Sequence, residues 1–330
     1  MNIESLLKVE LHLHLDCGLS YEVVSNIDPS ISQEIYLQDF VAPAKCHDLG
    51  DFLTRAIKGY KLMQTKDQLQ WVVQDLFQQL VPSNVLYAEI RFAPLQHLEQ
   101  GLTPYEVVAF TEAACAASIK ETGVEARLIL CTLRHYTEAQ SMETVKLVEQ
   151  FKHTTVAGFD IAADEAGFPI DPHITSFKYA KEKGIHLTAH AGEAKGAESV
   201  WETLKYFGPT RIGHGVRSIE DPELVAHLKR HKIHLEICPS CNVQINLYDT
   251  YKDHPIDKLY RAGVSLNVNT DAPTIVDITL NTEYEKLQET FGWTNKDFYQ
   301  CNKYALEAAF IPQELKRDLL KKLQAGYGVG

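Results

Sequence analysis

The residues able to do chemistry collect in a few places along the chain. In Glu10-Leu11-His12-Leu13-His14-Leu15-Asp16, carboxylates and imidazoles alternate with leucines. An extended chain repeats its side-chain direction every two residues, which predicts Glu10, His12, His14 and Asp16 on one face and the leucines on the other. The two histidine Cα atoms would then be about 6.6 Å apart, close enough for both imidazoles to converge on one ion. H-x-H alone is equally a pair of hydrogen-bonded core histidines. Three more groups extend it: His190 ends IHLTAH, His214 ends RIGH, and Asp271 follows NVNT. Imidazoles plus one carboxylate make a borderline nitrogen and oxygen donor set that suits Zn²⁺ best among common divalent ions. Glu193, in His190-Ala191-Gly192-Glu193, is the candidate proton donor beside that set, although by itself it reads as an acid favoured at a helix N-terminus.

These groups fall at the ends of short β-rich runs. The strand candidates are Val9–Leu15, Val85–Phe92, Ala126–Leu133, Val156–Ala162, Ile185–His190, Arg211–His214, Ile233–Cys238 and Val264–Asn269. Helical patterns alternate with them at Asp67–Leu80, Thr103–Glu121, Ser141–His153, Asp171–Lys183, Ala197–Phe207, Asp221–His231 and Pro255–Arg261. Thr103-Pro104 and Asp221-Pro222-Glu223 are start signals, with proline at the first helical position. Eight strands each followed by helix predict an α/β fold, a single (β/α)8 TIM-type barrel over residues 1–330. The competing doubly wound sheet wants a glycine-rich turn after its first strand, and HLDCGLS is no G-x-G-x-x-G. In a barrel, strand ends one, five, six and eight bring His12, His14, His190, His214 and Asp271 to the face where such folds keep their active sites.

Two stretches exceed a minimal barrel. Residues 17–84 form a helical insertion after the first strand, and its Phe52, Leu53, Ile57, Leu62 and Met63 are a candidate apolar lid. A helical segment at about 294–325 is expected to pack outside the barrel.

Composition excludes several classes. With 32 Lys plus Arg against 44 Asp plus Glu, the formal charge of −12 repels phosphate backbones, so nucleic acid is not an expected partner. The 45% hydrophobic content excludes disorder, and no apolar run approaches the roughly 20 residues of a membrane span. The sequence MNIESLLKVELHLHLD lacks signal-peptide features, so the cytoplasm is the expected location. Seven cysteines, an odd number lying mostly in apolar stretches, read as buried reduced thiols. Cys238-Pro239-Ser240-Cys241 lacks the second ligand pair of a structural zinc site and reads as two small residues at a strand end. His47, His97, His153, His173, His227, His231 and His254 are assigned to loops or solvated helix faces, and His186 and His234 to strand starts. His135 follows a strand end and stays a candidate.

The motifs KVELHLHLDCGLS, YAEIRFAP, GFDIAADE, TAHAGEAKGAESV, RIGHGV, EICPSCN and NVNTDAPT, in this order over residues 8–275, resemble the adenosine deaminases of the amidohydrolase superfamily. The resemblance implies a zinc-dependent aminohydrolase that converts adenosine or 2′-deoxyadenosine to the inosine nucleoside and ammonia by attack of a zinc-activated hydroxide on C6. It implies one Zn²⁺ per chain on His12, His14, His190 and Asp271. Glu193 would protonate the purine N1, His214 would orient and deprotonate the water, and Asp271 would share that proton with His214 and pass one to the leaving amine. His14, Asp16, Ala163 and Ala272 would contact the substrate, with Asp16 on a ribose hydroxyl. The implied partner is a small purine nucleoside, and oligomeric state is left open.

Two departures touch the base. Ala272 stands where the family carries an Asp that contacts N7, and Ala163 stands where it carries Gly. They keep open the same chemistry on another 6-aminopurine or a modified nucleoside, including an aminofutalosine type. A two-metal hydrolase would want a Lys at the fourth strand, and VAGFDIAADEAG has none. The H-x-E and P-C-x-x-C elements of cytidine deaminases are matched neither by HAGE nor by CPSC. A non-catalytic nucleoside-binding barrel is the remote alternative.

Overall fold

Strands covered on both faces read as nearly unbroken apolar runs, and the barrel staves follow that rule. The computed structural model describes residues 2–329. Its strands are β1 (Lys8–His14), β2 (Val85–Phe92), β3 (Glu125–Leu133), β4 (Val156–Ala162), β5 in two pieces (His186–Leu187 and His190–Ala191), β6 (Arg211–His214), β7 (His234–Ile237) and β8 (Leu266–Val268). Neighbours pair in parallel from β1 to β8. The first piece of β5 pairs with β4 and the second with β6, so the run predicted as Ile185–His190 is interrupted at Thr188-Ala189, where its partner changes. The circle closes through a bridge between Leu13 and Asp271.

That seam carries a correction to β1. Four residues of β1, from Glu10 to Leu13, match three of β2, from Ala88 to Ile90. The surplus is a bulge, and the consecutive N–H groups of Leu11 and His12 both donate to Oδ1 of Asn269, at 2.8 and 3.1 Å. The two-residue period therefore breaks between Glu10 and His12. Glu10 turns away from the barrel interior: its carboxylate accepts from the Thr270 N–H (2.7 Å) and hydroxyl, in a cleft it shares with Leu76 and Leu80. His12 and His14 remain on the inner face, His12 packing edge-on against His190. Asn269 also donates to the Ile237 carbonyl, so one asparagine ties β1, β7 and β8 together. Replacing Asn269 with Leu leaves two buried N–H groups unpaired. We expect a loss of about 2–6 kcal/mol, read as a lower urea midpoint at an unchanged slope.

Four helices fill the connection after β1: α1 (Tyr21–Ile27), α2 (Gln33–Asp39), α3 (Leu49–Lys61) and α4 (Lys66–Leu80). Then α5 (Pro104–Thr122), α6 (Glu138–Gln150), α7 (Ile174–Glu182), α8 (Ala197–Tyr206) and α9 (Pro222–His231) follow β2 to β6 in turn. The proline starts behave as predicted: Thr103 caps α5 in a box with Glu106, and Asp221 caps α9. Helix α6 begins three residues earlier than its apolar pattern because Thr137 and Gln140 form another capping box. After β7 come α10 (Pro239–Gln244) and α11 (Ile256–Arg261), and after β8 come α12 (Pro273–Val276), α13 (Leu280–Phe291), α14 (Asn295–Ala308) and α15 (Gln313–Gly326).

The last two helices do more than pack outside. Ala305, Leu306, Ile311, Leu319 and Leu323 pack with Val9, Leu11 and Tyr87, sealing the end of the barrel where the strands begin. Asn302 accepts the Val9 N–H at 2.7 Å, and the Phe310 ring lies 3.6 Å from the Arg211 guanidinium. The opposite end, where the strands finish, is thereby the open one. Among the described residues, no helix is long and apolar enough to cross a membrane.

Candidate active site and metal centre

At that open end the strand termini bring His12, His14, His190 and Asp271 together, with one donor atom from each lying within 4.8 Å of all the others. His12 Nε2 is 3.1 Å from Asp271 Oδ1, His14 Nε2 is 3.4 Å from the same oxygen, and the Nε2 atoms of His14 and His190 are 3.2 Å apart. A tetrahedral ion with bonds of about 2.0–2.1 Å separates its ligands by about 3.3 Å, so the spacing fits such an ion. The orphaned Nε2 of His12 fits it too: it is buried and has no hydrogen-bond partner. Burial pushes the His12 and His14 imidazoles well below their ordinary range, leaving neutral rings with a free lone pair.

Carboxylates behind the rings set which nitrogen faces inward. Nδ1 of His12 is 2.9 Å from Glu236 Oε2, and Nδ1 of His190 is 3.1 Å from Asp160 Oδ2. A carboxylate accepts the Nδ1 proton and aims Nε2 at the centre. Both carboxylates belong to an ionic network inside the barrel. Arg91 bridges Asp160 and Glu236 at 2.7 and 2.6 Å, and Arg211 bridges Glu236 and Glu89 at 2.7 and 2.5 Å. None of these five side chains is exposed. Burial pushes the Glu236 carboxyl up, but Arg91 and Arg211 outweigh it and hold the group down at about 2. Because the folded value lies below the ordinary 4.5, its stabilisation is present above pH 4.5 and is lost as pH falls towards 2. Glu236→Gln should cost about 3–5 kcal/mol near neutral pH. Urea titrations should show the gap to the parent narrowing as pH is lowered through that window.

Glu193 is 4% exposed, and its loop is organised by a second carboxylate. Glu165 accepts the backbone N–H groups of Gly192, Glu193 and Lys195 at 2.8, 3.0 and 2.9 Å, and the Ser199 hydroxyl at 2.5 Å. Burial, reinforced by the charges of Asp271 and Glu165, raises the Glu193 carboxyl well above the ordinary range, which favours its protonated form. His214 stands across from it, Nε2 to Oε1 3.5 Å. Burial likewise keeps His214 neutral. Gly213 lets His12 settle beside β6, since a Cβ there would sit 2.9 Å from the His12 ring. His214, Asp271 and Ala163 have φ of 59°, 65° and 77°, a region that costs a non-glycine residue about 1–2 kcal/mol. All three line one cavity, and strain gathered at a pocket is a mark of function.

The cavity has a volume of about 340 Å³, in the range of small-ligand sites. Its floor is His14, His190, Glu193, His214 and Asp271, and its walls include Asp16, Leu133, Ala162, Ala163 and Ala272. Burial raises Asp16 to about 6. Leu49, Phe52, Leu53, Ala56 and Ile57 of α3 form an apolar side. Leu62 and Met63, from the same predicted lid stretch, do not reach the cavity, and Met63 is buried in the main core. Helix α3 can come this close because residue 59 is glycine: a Cβ there would lie 2.0 Å from the Asp16 carbonyl oxygen. Ala272 is buried with Cys17, Leu49, Phe52 and Cys241 in an apolar cluster.

The structure thus gathers every predicted site residue around one cavity, with His12 just beneath it. Sequence reasoning missed Glu236, Asp160, Arg91, Arg211 and Glu165; the available signal was a charged residue inside an apolar run, as in AEIRF and HLEIC. Three histidines assigned to solvated positions are buried: Nδ1 of His97 is 2.9 Å from the Met63 carbonyl, Nε2 of His173 is 3.1 Å from the Arg134 carbonyl, and His254 meets Asn242. His135 is at the cavity rim. Cys238 and Cys241 begin α10 after β7, a place used by redox pairs, yet both thiols are buried and burial pushes them well above their ordinary range. They lie against the site, Cys241 beside Glu193 and Asp271.

A family profile described as adenosine deaminase matches residues 7–326. An adenosine deaminase of Enterococcus faecalis is 34% identical over 331 residues, covering 98% of each chain. Adenosine deaminase 1 of Streptomyces coelicolor is 35% identical over 329 residues, covering 92% of this chain and 83% of that one. In fold, the chain is similar to a solved amidohydrolase from Burkholderia ambifaria with bound zinc: the TM-score is 0.90 at 21% identity, over 99% of this chain and 92% of that one.

Proposed function

The chain belongs to the adenosine deaminase family, and on that premise we propose that it hydrolyses adenosine and 2′-deoxyadenosine to the inosine nucleosides and ammonia. The observation that carries this reading is the meeting of four metal-donor atoms, a buried carboxyl and a buried imidazole at the base of one apolar cavity. One zinc ion per chain, held by His12, His14, His190 and Asp271, supplies when bound the Lewis acidity that brings water towards a pKa of about 7. His214 orients the attacking water. Glu193 gives its proton to N1 as oxygen adds to C6, so that negative charge does not build on the ring. Asp271 takes the proton that the water gives up and passes it to the amino group. Ammonia then leaves, the proton of the C6 hydroxyl restores the acid form of Glu193, and the 6-oxopurine remains. Asp16 holds a ribose hydroxyl, the backbone N–H of Ala163 faces N3, and α3 covers the base and excludes bulk water.

The direct test incubates zinc-loaded protein with each nucleoside and follows purine absorbance together with released ammonia. Stoichiometric ammonia is the expected result; no turnover overturns the adenosine assignment.

Ala272 favours a second reading in which the same chemistry acts on another 6-aminopurine or a modified nucleoside. The apolar cluster around Ala272 offers N7 no carboxyl partner. Relatives that bond N7 should lose about 1–3 kcal/mol, roughly 5- to 150-fold, on a 7-deaza substrate. This chain should discriminate between adenosine and 7-deazaadenosine by less than about fivefold in kcat/KM, measured in one competition assay. A larger preference would show that another group reaches N7.

A further inference from the structure

His214 is held from behind by residues that do not line the cavity. Its Nδ1 lies 3.1 Å from Nδ2 of Asn242, and Oδ1 of Asn242 lies 3.2 Å from Nε2 of His254. The chain ends on the backbone, where the Ile256 N–H meets Nδ1 of His254 at 3.2 Å. Asn242, His254 and His214 are all at most 1% exposed.

The backbone end gives the chain a direction. A peptide N–H can only donate, so Nδ1 of His254 accepts. A neutral imidazole carries one proton, which then sits on Nε2 of His254 and is donated to Oδ1 of Asn242. The Asn242 amide is left to donate through Nδ2, and Nδ1 of His214 must accept. The single proton of His214 is therefore on Nε2, the nitrogen facing Glu193. Burial pushes His254 down to about 3, so it has no second proton with which to reverse the order. Turning the amide over does not change this, because His254 would then need a proton on Nδ1 against the Ile256 N–H.

We propose that Asn242 and His254 are positioning residues: through a hydrogen-bond chain anchored on the Ile256 N–H, they hold His214 with its proton on Nε2, so that it presents a donor to the attacking oxygen. This rests on the proposed deamination only for what lies in front of His214; the chain behind it is independent of the substrate. A donor fixed before the reaction stabilises charge where it develops and needs no reorganisation. It also changes the role expected of His214, since a ring with its proton on Nε2 cannot take another there while neutral.

The test uses the full-length zinc-loaded protein labelled with ¹⁵N-histidine, and long-range ¹H–¹⁵N spectra report which ring nitrogen carries the proton. His214→Gln identifies the His214 signals. The parent should show His214 protonated at Nε2 without any substrate present. In Asn242→Asp the new carboxylate can only accept, which draws the proton to Nδ1 of His214. With that change kcat for adenosine should fall about 100-fold at a KM within about threefold. His254→Phe frees the amide to turn and should give mixed tautomers with an intermediate kcat. A parent His214 protonated at Nδ1, or Asn242→Asp with a switched tautomer and unchanged kcat, overturns the proposal. If Asn242→Asp does not fold, the parent spectrum and His254→Phe still decide. A parent with the Nε2 proton but no adenosine turnover supports the hydrogen-bond chain and counts against the adenosine reading instead.

Discussion

Replacing Glu193 with Gln should lower kcat for adenosine by about 10²- to 10⁴-fold while leaving the fold and the metal content unchanged. The side chain is 4% exposed, and its peptide N–H is one of three gathered by Glu165, so a glutamine keeps both the shape and the loop. What it loses is the proton. Burial, with the charges of Asp271 and Glu165 behind it, raises the Glu193 carboxyl well above the ordinary range and so favours the acid form. The sign of the pH effect follows. Activity that needs the protonated carboxyl is complete below the raised pKa and declines as pH climbs through it. Steady-state kinetics across pH should therefore show an alkaline decline in the parent that disappears in Glu193→Gln. A variant with parental kcat would remove Glu193 from the chemistry.

Removing the metal should abolish turnover altogether, and one equivalent of zinc per chain should restore it. Without a cation, the free lone pair of His12 Nε2 faces a carboxylate oxygen 3.1 Å away, and His14 Nε2 lies 3.4 Å from the same oxygen. Burial raises the Asp271 carboxyl, so the anion itself is disfavoured there until a cation meets it. Binding to the folded state alone also stabilises it, by about 2.7 kcal/mol at a free zinc concentration 100 times Kd. Dialysis against a chelator, metal analysis by mass spectrometry and calorimetry on the same sample check all three points. Full activity in metal-free protein would sink the metal-centred reading, and a requirement for two equivalents would replace one ion with two.

These groups were legible in the sequence to different degrees. His190, His214 and Asp271 could be placed because each ends a strand-like run, and a parallel barrel brings all its strand ends to one mouth. The pairing of His12 with His14 was also legible, since both follow the bulge and keep the two-residue period. Glu10 was not: the period predicted it beside them, and one surplus residue at Leu11-His12 turned it to the other face. Nothing local announces that bulge, because its acceptor is an asparagine more than 250 residues away. His254 was equally hidden. Its neighbours Asp253 and Pro255 suggest a solvated turn, whereas its imidazole is buried against Asn242.

By itself the sequence determined the donor types, their order along the chain and the barrel that spaces them, because alternation, strand length and capping are local properties. Only the tertiary structure decided which nitrogen of each histidine faces the centre, which carboxyl is pushed towards its protonated form and which residue stands behind each functional group. Those outcomes depend on burial and on hydrogen-bond partners from distant strands: Glu236 behind His12, Asp160 behind His190, Glu165 behind the Glu193 loop and Asn242 behind His214. A proton's position is settled by the field and the acceptors around it, and in this chain those come together only when the barrel closes.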